Sequence, residues 1–82
     1  MSPIYNLPKK RLAPREVHIN PLPIELAKLL KLQSLVQSGG EAKVAITEGL
    51  VRLNGVVETR KGKKIVAGDV IEFCDERFVV VD

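Results

Sequence analysis

An α+β fold, with two helices packed on a small and mainly antiparallel sheet, follows from three features of the sequence. Apolar residues recur at helical spacing in two short stretches, Leu26-Leu29-Leu30 and Ala42-Ala45-Ile46. Asn54-Gly55 follows the alternating run Val51-Arg52-Leu53 and is a strong two-residue hairpin signal. The C-terminal segments Val70-Ile71-Glu72-Phe73-Cys74 and Phe78-Val79-Val80-Val81 are rich in β-branched and aromatic residues, as strands are. At 82 residues the chain makes one domain at most.

Taken in order, residues 1–15 carry three prolines and the basic trio Lys9-Lys10-Arg11 with no sustained period, and are expected to form a flexible basic arm. The single domain is then 16–82. Glu16-Val17-His18-Ile19 alternates and predicts a short strand. Proline is tolerated in the first turn of a helix, so Asn20-Pro21-Leu22-Pro23 predicts a first helix starting near Leu22 to Ile24. Its buried stripe is Leu26, Leu29 and Leu30, with Lys28 and Lys31 toward solvent. Gln33 to Gln37 connects it to a second helix. There Ser38 and Glu41 form a capping box, in which hydroxyl and carboxylate each accept a backbone N–H. Gly49 is placed to end that helix in a left-handed conformation. Val56 to Thr59 is the expected return strand of the hairpin, and Arg60-Lys61-Gly62-Lys63-Lys64 a basic loop. A Gly68-Asp69 turn precedes the last two strands, which Asp75-Glu76-Arg77 is expected to join. Cys74 falls in an apolar strand pattern, which predicts an inert, buried thiol.

The net charge is only +3, but it is unevenly spread. Lys43 to Lys64 holds six basic and two acidic residues, whereas Ile65 to Asp82 holds one basic and five acidic. Such asymmetry suits a polyanionic partner met by one side of the molecule. A charge run taken alone is more often a solvated surface. The single cysteine precludes an internal disulfide and suits a reducing cytosol. No apolar run approaches the ~20 residues that span a bilayer, and no signal-peptide pattern opens the chain, so a cytoplasmic protein is expected. Constellations for catalysis are missing: there is one histidine, no Cys/His cluster, and Gly39-Gly40 lacks the continuation of a P-loop. The sequence therefore predicts no enzyme, no cofactor, no metal and no small-molecule substrate.

Ser38-Gly39-Gly40-Glu41-Ala42-Lys43, then Gly49-Leu50-Val51-Arg52-Leu53-Asn54-Gly55, Arg60 to Lys64 and Gly68-Asp69, occur in an order and spacing that resemble the S4 RNA-binding domain (αL motif). More narrowly they resemble its small stand-alone bacterial YbcJ-type subgroup, over roughly Ile24 to Phe73. The resemblance implies a non-enzymatic module that binds structured RNA, ribosomal or transfer RNA, in association with the ribosome. A helix N-terminus with unpaired N–H groups suits a phosphate, and glycines let a backbone approach. The expected contacts are Ser38, Gly39, Gly40, Lys43, Arg52, Asn54, Arg60, Lys61, Lys63 and Lys64, all on one face. The chain departs from the wider family at Glu25 and Gly39, where many members carry a basic residue. With two Phe, one Tyr and no Trp, base stacking is not the expected mode. The alternative is a protein-interaction or ribosome-accessory module using the same face on an acidic partner. A sulfur-carrier role would need a Gly-Gly C-terminus, where this chain has Val81-Asp82. Nothing in the sequence dictates oligomerisation, and a monomer is favoured.

Overall fold

The computed structural model describes residues 14–82. Its elements are β1 (Arg15–His18), β2 (Ile24–Glu25), α1 (Leu26–Leu32), α2 (Gly39–Thr47), β3 (Arg52–Leu53), β4 (Val56–Val57), β5 (Lys64–Ile65), β6 (Val70–Phe73) and β7 (Glu76–Val81). Five strands form one sheet in the order β1-β7-β6-β3-β4. Strands β1 and β7 run parallel, and the other neighbours antiparallel. The α+β architecture is thus as expected. A second ladder, β2 with β5, pairs Ile24 with Ile65 and Glu25 with Lys64. Most of the expected arm lies outside the described residues, but Arg15 opens β1.

Alternation builds the core. Val17, Val51, Leu53, Ile71, Phe73, Phe78 and Val80 face inward from the large sheet, and α1 and α2 cover them with Leu26, Leu29, Leu30, Ala42, Ala45 and Ile46. Helix α1 has only seven residues, well below the ~12–15 at which an isolated helix becomes even marginal. Tertiary burial therefore holds it. Each of its three buried leucines contributes roughly 1.5–3 kcal/mol.

The helix ends are closed by local chemistry. Ser38 Oγ accepts the Glu41 N–H at 3.1 Å, and the Glu41 carboxylate accepts the Gln37 N–H, one residue before the cap. At the other end of α2, Gly49 N–H donates to Ile46 O and Leu50 N–H to Ala45 O, with Gly49 at φ +80°. This is a Schellman motif. Helix α1 ends the same way: Ser34 N–H donates to Lys31 O and Leu35 N–H to Leu30 O, with Ser34 at φ 59°. A serine in the left-handed region gives a weaker sequence signal than glycine, so only the second stop is legible in advance.

Three boundaries differ from expectation. Helix α1 starts at Leu26 rather than at Leu22 to Ile24, because Ile24 and Glu25 are drawn out to pair with β5. The return strand is confined to Val56–Val57, and both residues are exposed. The last hairpin turns at Cys74-Asp75, with φ of 53° and 66°, not at Asp75 to Arg77. The register that sets Phe78 opposite Ile71, both fully buried, and Phe73 opposite Glu76 leaves two residues for the turn. Cys74 consequently lies exposed at the hairpin tip and is not a buried core thiol.

Gly49→Ala places a side chain at a positive φ and should lower the unfolding free energy by about 1–2 kcal/mol. Ala at Gly39, where a Cβ meets nothing within 4 Å and φ is not positive, should not. Chemical denaturation of both variants makes the comparison.

Candidate nucleic-acid interface

The basic loop is placed by its backbone. Glu25, at the N-cap of α1, makes no side-chain capping bond. The first N–H groups of α1 would otherwise lack partners. Leu26 N–H donates to Lys63 O at 2.9 Å and Ala27 N–H to Lys61 O at 3.1 Å, so the loop carbonyls cap the helix. Lys63 N–H in turn donates to Arg60 O at 3.2 Å, closing a turn over Arg60 to Lys63. With its carbonyls committed inward, the loop carries Lys61, Lys63 and Lys64 around the start of α1.

Lys28 joins this group from α1: it lines one surface depression with Pro21, Pro23, Ile24, Glu25 and Lys64, and a second with Lys31 and Leu32. Lys64 Nζ lies 3.5 Å from Glu25 Oε2, a solvent-exposed pair. Among the described residues, Lys28, Lys31, Lys43, Lys61 and Lys63 have no ion-pair partner. The rim of α1 is therefore a run of largely uncompensated ammonium groups. Lys28 and Lys31 were not among the expected site residues. Their spacing on one helical face is the signal that could have included them.

Arg60 is different. Its Nε donates to Glu58 Oε2 at 2.9 Å, its Nη2 to Glu58 Oε1 at 3.1 Å, and its backbone N–H to Glu58 Oε2 at 3.0 Å. These bonds, the side-chain ones first, hold the Glu58 carboxyl well below its usual 4.5, at about 2, against a smaller opposing effect of burial. The same pairing raises the Arg60 guanidinium. Glu58 escaped sequence reasoning. Its only trace is the i, i+2 spacing to Arg60, which in an extended chain puts both on one side.

The expected α2 contacts sit apart from the loop, linked to it through the packing of α1 on α2. Ser38 Oγ is taken up by its cap bond. Gly39 and Gly40 are exposed residues of the first turn, and a Cβ at either would meet no closer neighbour than Ser38 Oγ at 3.8 Å. The fold itself does not require glycine there. Lys43 projects from the exposed side of the helix.

Arg52 and Asn54 do not share this surface, contrary to the single-face expectation. Val51 and Leu53 point into the core, so Arg52 leaves the sheet on the side away from the helices, in register with Glu72 and, beyond it, Arg77. Its Nη1 lies 3.5 Å from Gly55 O. The Asn54 amide is used at both ends: Nδ2 donates to Asp69 Oδ1 at 3.1 Å, and Oδ1 accepts the Val70 N–H at 2.9 Å. Asp69 Oδ2 also accepts the Val66 N–H at 3.0 Å. Asn54 and Asp69 thus lock two turns together. No group of three or more His, Cys, Asp or Glu residues stands where it could hold a metal among the described residues. No helix is long and apolar enough there to cross a membrane.

Comparison with known proteins agrees with this architecture. The S4 domain family model matches residues 17–81. The putative RNA-binding protein YbcJ of Escherichia coli K12 is 50% identical over 58 residues, which are 71% of this chain and 83% of that one. A probable ribosome maturation protein, RlbA of Bacillus subtilis, is 43% identical over 49 residues, 60% of this chain and 69% of that one. The solution structure of E. coli YbcJ, described as revealing an αL motif involved in RNA-binding, superposes with a TM-score of 0.63. It is 42% identical, with 85% of this chain and 90% of that one covered.

A carboxyl whose pKa is lowered on folding stabilises the folded state above its unfolded value and loses that contribution as pH falls. The stability difference between wild type and Glu58→Gln should therefore be constant from pH 7 to about 5. It should shrink as pH drops from 4.5 toward 2, the range set by the Glu58 shift. Urea titrations at stepped pH measure it, with about 1–2 kcal/mol expected at neutral pH.

Proposed function

The chain belongs to the S4 domain family, and from that membership we propose that it is a non-enzymatic RNA-binding module that recognises structured RNA through phosphate and shape contacts. The observation that carries the reading is the rim around α1, where main-chain bonds hold Lys61 and Lys63 to the helix start, Lys28 shares a depression with Lys64, and Lys31 follows Lys28 on the helix. Ammonium groups so arranged displace counterions from a phosphate backbone. Helix α2 adds a second contact, its open first turn at Gly39 and Gly40 with Lys43 one turn on. Phe73 and Phe78 are both buried, so neither is free to stack on a base. This favours an RNA read by its backbone and groove geometry.

Ser38 and Asn54 serve this surface by holding its turns, and Arg52 stands outside it. The similarity to a protein named for ribosome maturation favours ribosomal RNA as the target. A cytoplasmic location accords with that target and with the single cysteine.

The test is binding of a labelled RNA stem-loop and a sequence-matched DNA duplex across a salt series. Log affinity should fall linearly with log salt and favour RNA. Lys28→Ala and Lys63→Ala should each lower the slope by about 1, while Arg52→Ala leaves it unchanged. Absence of RNA binding by wild type at low salt overturns the reading and turns attention to an acidic protein partner. Gly40→Ala should leave the fold as stable or up to ~1 kcal/mol more stable, yet weaken RNA binding, because the methyl group stands where a phosphate would approach.

A further inference from the structure

Glu58 is the one charged side chain among the described residues that is buried. It sits in the most basic part of the chain, where a carboxylate opposes the field that would attract RNA. An apolar residue would fill the same place at the rim of the core. What the carboxylate supplies instead is orientation. It engages Arg60 side-on through Nε and Nη2 and also takes the Arg60 backbone N–H, fixing both the side chain and the chain direction at the loop entrance.

A guanidinium has five N–H donors. Glu58 uses two of them, leaving both Nη1 donors and one on Nη2. The Arg60 side chain is nonetheless 71% exposed, while that of Glu58 is 11% exposed. The free edge of the fork is therefore turned to solvent in a fixed attitude, and such an edge matches two oxygens of one phosphate.

Resting on the RNA-binding reading above, we infer that Arg60 is a geometric reader of the RNA backbone and that Glu58 is its positioning residue. The pair is close to neutral, so Arg60 contributes hydrogen bonds at a set angle rather than released counterions. Lys61 and Lys63 do the reverse, having no ion-pair partner among the described residues. The two kinds of contact are separable: one sets affinity through geometry, the other through salt-dependent attraction.

The experiment measures Kd and salt slope for Glu58→Gln, Arg60→Lys, the double variant and Lys63→Ala on one labelled RNA stem-loop, with thermal melts as the check on folding. Glu58→Gln should bind about 3- to 10-fold more weakly, the factor expected for one or two lost hydrogen bonds, although it removes a negative charge. Arg60→Lys keeps the charge and should weaken binding to a similar degree with an unchanged slope. The double variant should be little worse than either. Lys63→Ala should instead flatten the slope. If wild type binds and Glu58→Gln binds as well or more tightly, the inference is overturned and the RNA-binding reading stands. If Glu58→Gln does not fold, Arg60→Lys decides alone: wild-type affinity in that variant makes Glu58 purely structural and overturns the inference. Failure of wild type to bind at all is a failure of the broader reading instead.

Discussion

Helix α1 begins without a capping side chain, and the carbonyls of Lys61 and Lys63 take its first N–H groups. Much of the molecule's surface follows from that substitution. A serine or aspartate cap would have satisfied the helix locally and left the basic loop to wander. Main-chain capping instead ties two segments more than thirty residues apart in sequence into one unit. It is reinforced by the short β2–β5 ladder, which lies immediately before the helix. Since the acceptors are backbone oxygens, the side chains of Lys61 and Lys63 are not used in holding the loop to the helix.

The positive charges around that unit differ in standing. Arg60 is anchored from below by Glu58, and Lys64 is loosely paired with Glu25 at the surface. Lys28, Lys31, Lys61 and Lys63 have no ion-pair partner among the described residues. A surface of this kind combines one oriented hydrogen-bonding group with several mobile charges. It suits a partner whose phosphates recur at regular intervals and whose bases are hidden. The far side of the sheet has another composition, with Arg52, Glu72 and Arg77 in a cross-strand row of alternating sign.

Tight turns position these surfaces economically in so short a chain. Asn54-Gly55 and Cys74-Asp75 are both two-residue connections with positive φ at each position. Asn54 also reaches across to Asp69 and Val70, so the first hairpin is braced against the turn before β6. The closing element is β7, the last described strand, which lies between β1 and β6. That parallel pairing of Arg15–His18 with the C-terminal strand spans nearly the whole domain, which makes it the contact with the longest intervening chain.

What the sequence determined by itself is the segment from Ser38 to Gly55, together with the family it resembles. There the signals are local: a hydroxyl and a carboxylate three residues apart, a glycine at the positive-φ helix stop, an Asn-Gly turn. Such features operate over three or four residues, so composition and spacing are enough to read them. The leucine stripe of α1 and the β-branched run of β7 were legible for the same reason. The tertiary structure decided where α1 begins, because pairing of Ile24 and Glu25 with a distant strand overrode the helical preference. It decided that Cys74 is exposed, because strand register placed the turn. It also separated Arg52 from the lysines and brought Lys28 beside Lys64 of the loop. A side chain's face depends on which strand or helix its neighbours pack against, and those partners lie far along the chain. Charge alone marked a basic region, and packing sorted its members into those that hold the fold, those left at the surface, and the buried Glu58 that no charge pattern would have singled out.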